Sequence, residues 1–167
     1  VARPRFGGGG GLGRRSLDAL ERARHIGRQD RQSSRDTPLG RIAYRGDRID
    51  IGGRSLRVVR AGPASGGPLV VCEHGAFGCA ADWAVVQEKL SARGLRSLAY
   101  DRAGLGHSDP GPEPRDGRSI NDDLEALLAA LGETGPILLV GHSMGGLMVR
   151  LFALERTHAL LGLVLVD

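Results

Sequence analysis

Pro136–Arg150 reads P-I-L-L-V-G-H-S-M-G-G-L-M-V-R. Ile137 to Val140 is a short apolar run rich in branched residues, the composition of a buried strand. Gly141-His142-Ser143-Met144-Gly145 then turns the chain sharply, and a helical pattern follows. Strand, tight turn with a central serine, and helix make up the context that G-x-S-x-G requires. Such a turn strains the backbone at its centre and leaves no room for a side chain two positions to either side. Gly141 and Gly145 meet that need. The Ser143 hydroxyl is then held at the C-terminal end of a strand, above a helix N-terminus that favours developing negative charge.

The five letters alone decide little. With 27 glycines and ten serines in 167 residues, the pattern arises by chance about 0.25 times in such a chain. A serine that merely caps the following helix would give the same letters. The rest of the chain has to discriminate.

Composition bounds the answer. A chain of 167 residues with 41% hydrophobic residues allows one domain with a real core. No apolar run reaches the roughly 18 residues of a membrane span. The N-terminus carries no apolar leader, so a cytoplasmic protein is expected. The net charge of +4 divides unevenly. Residues 1–60 hold 15 arginines against six acidic residues; residues 61–167 hold eight basic and 13 acidic residues. The basic excess belongs to the first third, which reads as a solvated Arg-rich arm without the interleaved aromatics of a nucleic-acid binder. No nucleic-acid partner is expected. Cys72 and Cys79 fit no zinc spacing and make no disulfide framework, and no metal or cofactor is expected.

Gly7 to Gly11 predicts flexibility, and Ser16 to Ile26 a short helix. The division is an extension over 1–40 and a domain over 41–167. Arg48–Ala61 reads as a hairpin about Gly52-Gly53. Leu69–Cys72 and Leu95–Tyr100 read as strands. Asp82 is the expected cap of a helix reaching Ala92, with Trp83, Val86 and Leu90 inward. A second helix spans Ser119–Leu131, capped by Ser119 or Asn121, with Ile120, Leu124, Leu127 and Leu128 on its inner face. The strand Ile137–Val140, a helix over Met144–Glu155 and a strand over Leu160–Val166 follow. From residue 69 onward strands and helices alternate, which predicts an α/β fold with a mostly parallel sheet covered on both faces. Ligands bind such sheets at the C-terminal strand ends. The loops there are Glu73–Gly78, Asp101–Pro114 and Gly141–Gly145.

Those three loops carry a resemblance. His74-Gly75-Ala76-Phe77-Gly78 follows one strand, Asp101-Arg102-Ala103-Gly104-Leu105-Gly106-His107-Ser108 the next, and the serine turn the third. In that order the chain from about Ile49 to Asp167 resembles the α/β-hydrolase superfamily. The resemblance implies a sheet ordered 1-2-4-3-5-6, with Ser143 as a nucleophile forming an acyl-enzyme. The Met144 N–H would be one oxyanion donor. A second would come from the loop after the third strand, at Ala76 or, as the second choice, Phe77. Phe77 and His142 are candidate substrate-lining residues. His74 is expected to brace its loop, and Asp101 and Ser108 to tie theirs through side chain to backbone bonds.

A triad also needs a general base and a carboxylate, in the order serine, acid, histidine. The only histidine after Ser143 is His158. It follows a helix of about 12 residues, so it should lie roughly 18 Å away at the opposite sheet edge. Asp167, at the correct strand end, is the candidate acid. The expectation is therefore a partial domain, ending after its sixth strand and before the triad histidine, inactive alone and with an exposed apolar edge strand. The implied substrate is a small carboxylic ester or related acyl compound. Thioesterase, C–C hydrolase, haloperoxidase and acyltransferase chemistry remain alternatives, as does a non-catalytic binding module. Dehalogenase and epoxide hydrolase chemistry, which uses an aspartate at the turn, is disfavoured by the serine.

Overall fold

The computed structural model describes residues 45–167. The Ser16–Ile26 helix and the boundary near residue 40 lie outside them. Both central glycines of the expected hairpin turn adopt positive φ, +102° at Gly52 and +87° at Gly53, a conformation that costs a residue with a Cβ. Their N–H groups donate to Asp50 Oδ1 at 2.9 and 3.0 Å. The turn joins β1 (Asp47–Asp50) to β2 (Ser55–Ala61).

The apolar runs become β3 (Leu69–Glu73), β4 (Arg96–Tyr100), β5 (Ile137–His142) and β6 (Leu160–Val166). One six-stranded sheet results, ordered β1-β2-β4-β3-β5-β6. The hairpin joins β4 antiparallel, and β4, β3, β5 and β6 run parallel. This is the strand order that the resemblance implied. Its central strand, β3, is buried at every position.

Alternation along β3 feeds two cores. Leu69 and Val71 pack with Leu98, Leu124, Leu139 and Phe152 on one face. Val70 and Cys72 pack with Val59, Ala80, Trp83 and Val140 on the other. The first face is covered by α2 (Gly117–Ala130) and α3 (Met144–Glu155), the second by α1 (Ala84–Ser91). Ile120, Leu124, Leu127 and Leu128 are buried as expected.

Two helix starts differ from expectation. Asp82 is not an N-cap. It is the third residue of a short 3-10 turn, Ala80–Trp83, and its carboxylate accepts the Cys79 N–H at 3.0 Å. The α-helix begins after that turn. Its inner face also shifts, with Val86 exposed and Gln87 buried because its amide nitrogen donates to Val59 O at 3.0 Å. Asp116, rather than Ser119 or Asn121, caps α2 by accepting the Ser119 N–H at 2.9 Å. Asn121 instead ties α2 to α3, donating to Met148 O at 3.1 Å.

β6 closes one side of the sheet as an edge strand. Leu161, Leu163, Val164, Leu165 and Val166 are all exposed there. Among the described residues no helix is long and apolar enough to cross a membrane.

Candidate functional site

Ser143 has φ +52° and ψ −123°, the one non-glycine with positive φ among the described residues. Steric necessity explains its flanking glycines. A Cβ at Gly141 would stand 2.6 Å from Gly145 O, and one at Gly145 would stand 2.5 Å from Glu73 O. Strand end, turn and helix start are thus packed backbone to backbone. Ser143 occupies the N-cap position of α3, yet its side chain makes no capping bond. The structure therefore rejects the reading in which this serine is only a cap. The residue is exposed at the strand end, while its N–H donates to Val166 O at 2.9 Å. Met144, the first residue of α3, contributes one of the N–H groups that a helix leaves without an internal partner.

The loop after β3 lies against this turn. A Cβ at Gly75 would meet Ser143 Cβ at 3.6 Å and His142 Nδ1 at 3.1 Å. Ala76 is half-buried beside it, and Phe77 is 97% exposed. His74 is wholly buried and braces the loop. The Arg102 N–H points at its Nε2 at 3.4 Å, which leaves Nδ1 protonated to donate to Gly75 O at 2.8 Å. Burial, and then the nearby Arg102 guanidinium, hold its pKa down to about 4, so the ring is neutral near pH 7.

Asp101 organises the next loop. Its carboxylate accepts the Ala80 N–H at 2.7 Å and the His107 N–H at 2.8 Å, while Ser108 Oγ donates to Asp101 O at 2.6 Å. His107 itself points outward, its side chain 80% exposed.

Two groups went unrecognised in the sequence, Glu73 and Arg102. Arg102 reaches back under the β3 loop, and its guanidinium contacts Glu73 Oε1 and donates to His74 O, Gly75 O and Ala76 O. The Tyr100 hydroxyl donates to Glu73 Oε2. A signal was present: a carboxylate that closes a buried apolar strand needs a cation nearby.

The remaining candidates are dispersed. His142 is exposed at the end of β5. His158 contacts Gly135 O at 3.0 Å, at the start of β5 and so at the opposite sheet edge from Ser143. Asp167 directly follows Val166, whose carbonyl takes the Ser143 N–H, so its backbone arrives beside the turn while its side chain is exposed. Among the described residues no imidazole is hydrogen-bonded to the Ser143 hydroxyl. None forms a group of three or more His, Cys, Asp or Glu able to hold a metal ion. A groove of about 620 Å³ lies at the opposite sheet edge, between Leu69, Arg96 and Glu133, away from this chemistry.

Known proteins share this fold. A family model described as alpha/beta hydrolase fold matches residues 68–167. A protein of Hormonema carpetanum named "Probable transporter efuK" is 35% identical over 125 residues, 71% of this chain and 18% of that protein. The sn-1-specific diacylglycerol lipase ABHD11 of Mus musculus is 37% identical over 101 residues, 60% of this chain and 32% of the lipase. Among solved structures, an epoxide hydrolase of Vigna radiata superposes with a TM-score of 0.66 at 25% identity, covering 74% of this chain and 38% of the hydrolase. The chain thus spans well under half the length of each of these proteins.

Proposed function

Because the chain belongs to the alpha/beta hydrolase fold family, we propose that Ser143 is the nucleophile of a serine hydrolase that cleaves carboxylic esters through an acyl-enzyme. The observation that carries this reading is the strained, uncapped Ser143 standing against the Gly75–Phe77 loop. Attack by its hydroxyl on a carbonyl carbon forms a tetrahedral oxyanion. Donors for that oxygen come from the Met144 N–H at the helix start and from the loop at Ala76, with Phe77 as the second choice. Collapse expels the alcohol and leaves an ester on Ser143, which water then cleaves.

The serine also bears on the substrate class. Attack of an alkoxide on an epoxide carbon would leave an ether on the protein, which water does not cleave at a useful rate. A carboxylate nucleophile would leave a cleavable ester. The similarity to an epoxide hydrolase therefore supports the scaffold, whereas Ser143 favours acyl transfer. The lipase relative agrees with that direction. Thioesters and other activated acyl groups follow the same steps.

No histidine among the described residues is proposed as the general base. His74 is enclosed in its loop, and His158 stands at the far sheet edge. Asp167 is the candidate acid, on its placement after Val166. The test is labelling with a fluorophosphonate, which requires an activated serine, on the longest protein that the reading frame encodes. Wild type labels and Ser143→Ala does not. Equal labelling of the two rejects Ser143 as nucleophile. No labelling of either favours the second reading, a binding module that keeps the fold, which the unpartnered Ser143 hydroxyl also fits.

A further inference from the structure

We propose that Arg102, anchored by Glu73 and Tyr100, is a positioning residue that sets the direction of the oxyanion-donating N–H groups after β3. This rests on the reading of Ser143 as the nucleophile.

Arg102 is 3% exposed, and three consecutive carbonyl oxygens converge on its guanidinium. Nη1 donates to His74 O at 2.6 Å, and Nη2 donates to Gly75 O at 2.5 Å and Ala76 O at 3.0 Å. A run of carbonyls on one side of a loop has a fixed consequence. In a planar trans peptide the C=O of one residue and the N–H of the next point in opposite directions. The single cis bond among the described residues is Glu113–Pro114, far from this loop in sequence. Holding Gly75 O and Ala76 O on the guanidinium side therefore turns the N–H groups of Ala76 and Phe77 to the other side. The loop meanwhile lies against the turn, since a Cβ at Gly75 would stand 3.6 Å from Ser143 Cβ.

The anchor sits on the strands. Glu73 is the last residue of β3 and is wholly buried. Cys72 pairs with Ala99, which brings Glu73 level with Tyr100 at the end of β4. One carboxylate oxygen takes Arg102 and the other takes the Tyr100 hydroxyl. Arginine suits this task because its planar fork serves the carboxylate and the carbonyls together. A lysine ammonium supplies the charge without the fork.

The test uses Arg102→Lys and Glu73→Gln in the full-length protein, with a short activated ester as substrate. Oxyanion donors act on the transition state more than on the bound ester. Both variants should lose at least tenfold in kcat with KM within about twofold, the range expected when such donors are misplaced. In parallel, the amide resonances of Ala76 and Phe77 should shift in 1H–15N spectra while those of α2 stay in place. Spectra with unchanged Ala76 and Phe77 resonances, in a folded variant with wild-type kcat, overturn the proposal. If Arg102→Lys fails to fold, Glu73→Gln, which preserves shape, decides by the same two readouts. If wild type shows no turnover that depends on Ser143, the nucleophile reading fails, while the amide shifts still report whether Arg102 sets the loop.

Discussion

Gly145 packs so closely on Glu73 that a Cβ at Gly145 would stand 2.5 Å from the Glu73 carbonyl oxygen. It would also stand 2.7 Å from His74 O. Both obstacles are backbone, in the central strand of the sheet and the loop that leaves it, so neither can swing aside. Gly146, one residue on, meets nothing closer than Leu165 Cδ2 at 3.6 Å, an ordinary contact.

Adjacent glycines should therefore respond with opposite sign. Gly145→Ala is expected to destabilise the fold by about 2–3 kcal/mol, the cost of overpacking at a rigid contact. Gly146→Ala should be neutral or stabilising by about 0.5–1 kcal/mol, because a helical glycine surrenders more backbone entropy than alanine. Urea unfolding of both variants checks this. Equal losses would show that the contact with Glu73 is not what excludes a side chain at Gly145.

The strain at Ser143 gives a second prediction. Its φ of +52° is reached at the expense of a Cβ clash that glycine does not feel. Ser143→Ala keeps the Cβ and Ser143→Gly removes it. The glycine variant should be the more stable of the two by about 1 kcal/mol, reversing the usual order of alanine and glycine. Both should be inert to a fluorophosphonate. A glycine variant less stable than the alanine one would mean that the turn carries no such strain.

Much of this was legible in the sequence, and the misses share a cause. The strands announced themselves as apolar runs, and Gly141, Ser143 and Gly145 stated the turn's steric needs in one short stretch. Asp82 misled because an acidic residue before a helical pattern reads as a cap wherever it stands, whereas the expected caps Ser119 and Asn121 give way to Asp116, the true cap of α2. Which residue caps depends on whether a 3-10 turn intervenes, as it does at Ala80–Trp83. Gln87 is absent from the expected inner face because its partner, Val59 O, belongs to a strand far away in sequence. Arg102 and Glu73 escaped for the same reason. They are 29 residues apart and meet only once β4 lies beside β3.

The edge strand leads to a third prediction. Among the described residues β6 pairs with β5 on one side only, and Leu161 is 57% exposed and Leu165 55%. Apolar edges of this kind invite pairing with another chain. The 167-residue chain should self-associate as its concentration rises, and Leu161→Lys should shift that association to higher concentration by adding a charge to the edge. Sedimentation velocity over a concentration series reads both. Association unchanged by Leu161→Lys would locate the contact elsewhere.

His74 makes the fold sensitive to acid in a direction that can be worked out. Its pKa falls from 6.5 to about 4 in the folded chain, chiefly by burial and then by the Arg102 charge, with the hydrogen bond to Gly75 and then Asp101 and Asp82 pulling the other way. The unfolded chain thus takes up a proton below about pH 6.5 that the folded chain refuses until about pH 4. The stability this represents is fully present above pH 6.5 and is lost as the pH falls toward 4, by about 3 kcal/mol in all. Glu73 works in the opposite sense. Burial raises its pKa against the pull of Arg102 and Tyr100, so acid relieves rather than imposes a cost there. Comparison with His74→Gln separates the two, since that variant retains Glu73. Between pH 7 and pH 4.5 the wild type should lose about 2–3 kcal/mol more than His74→Gln in urea unfolding. Parallel losses would mean that the acid sensitivity of this loop does not come from the buried imidazole.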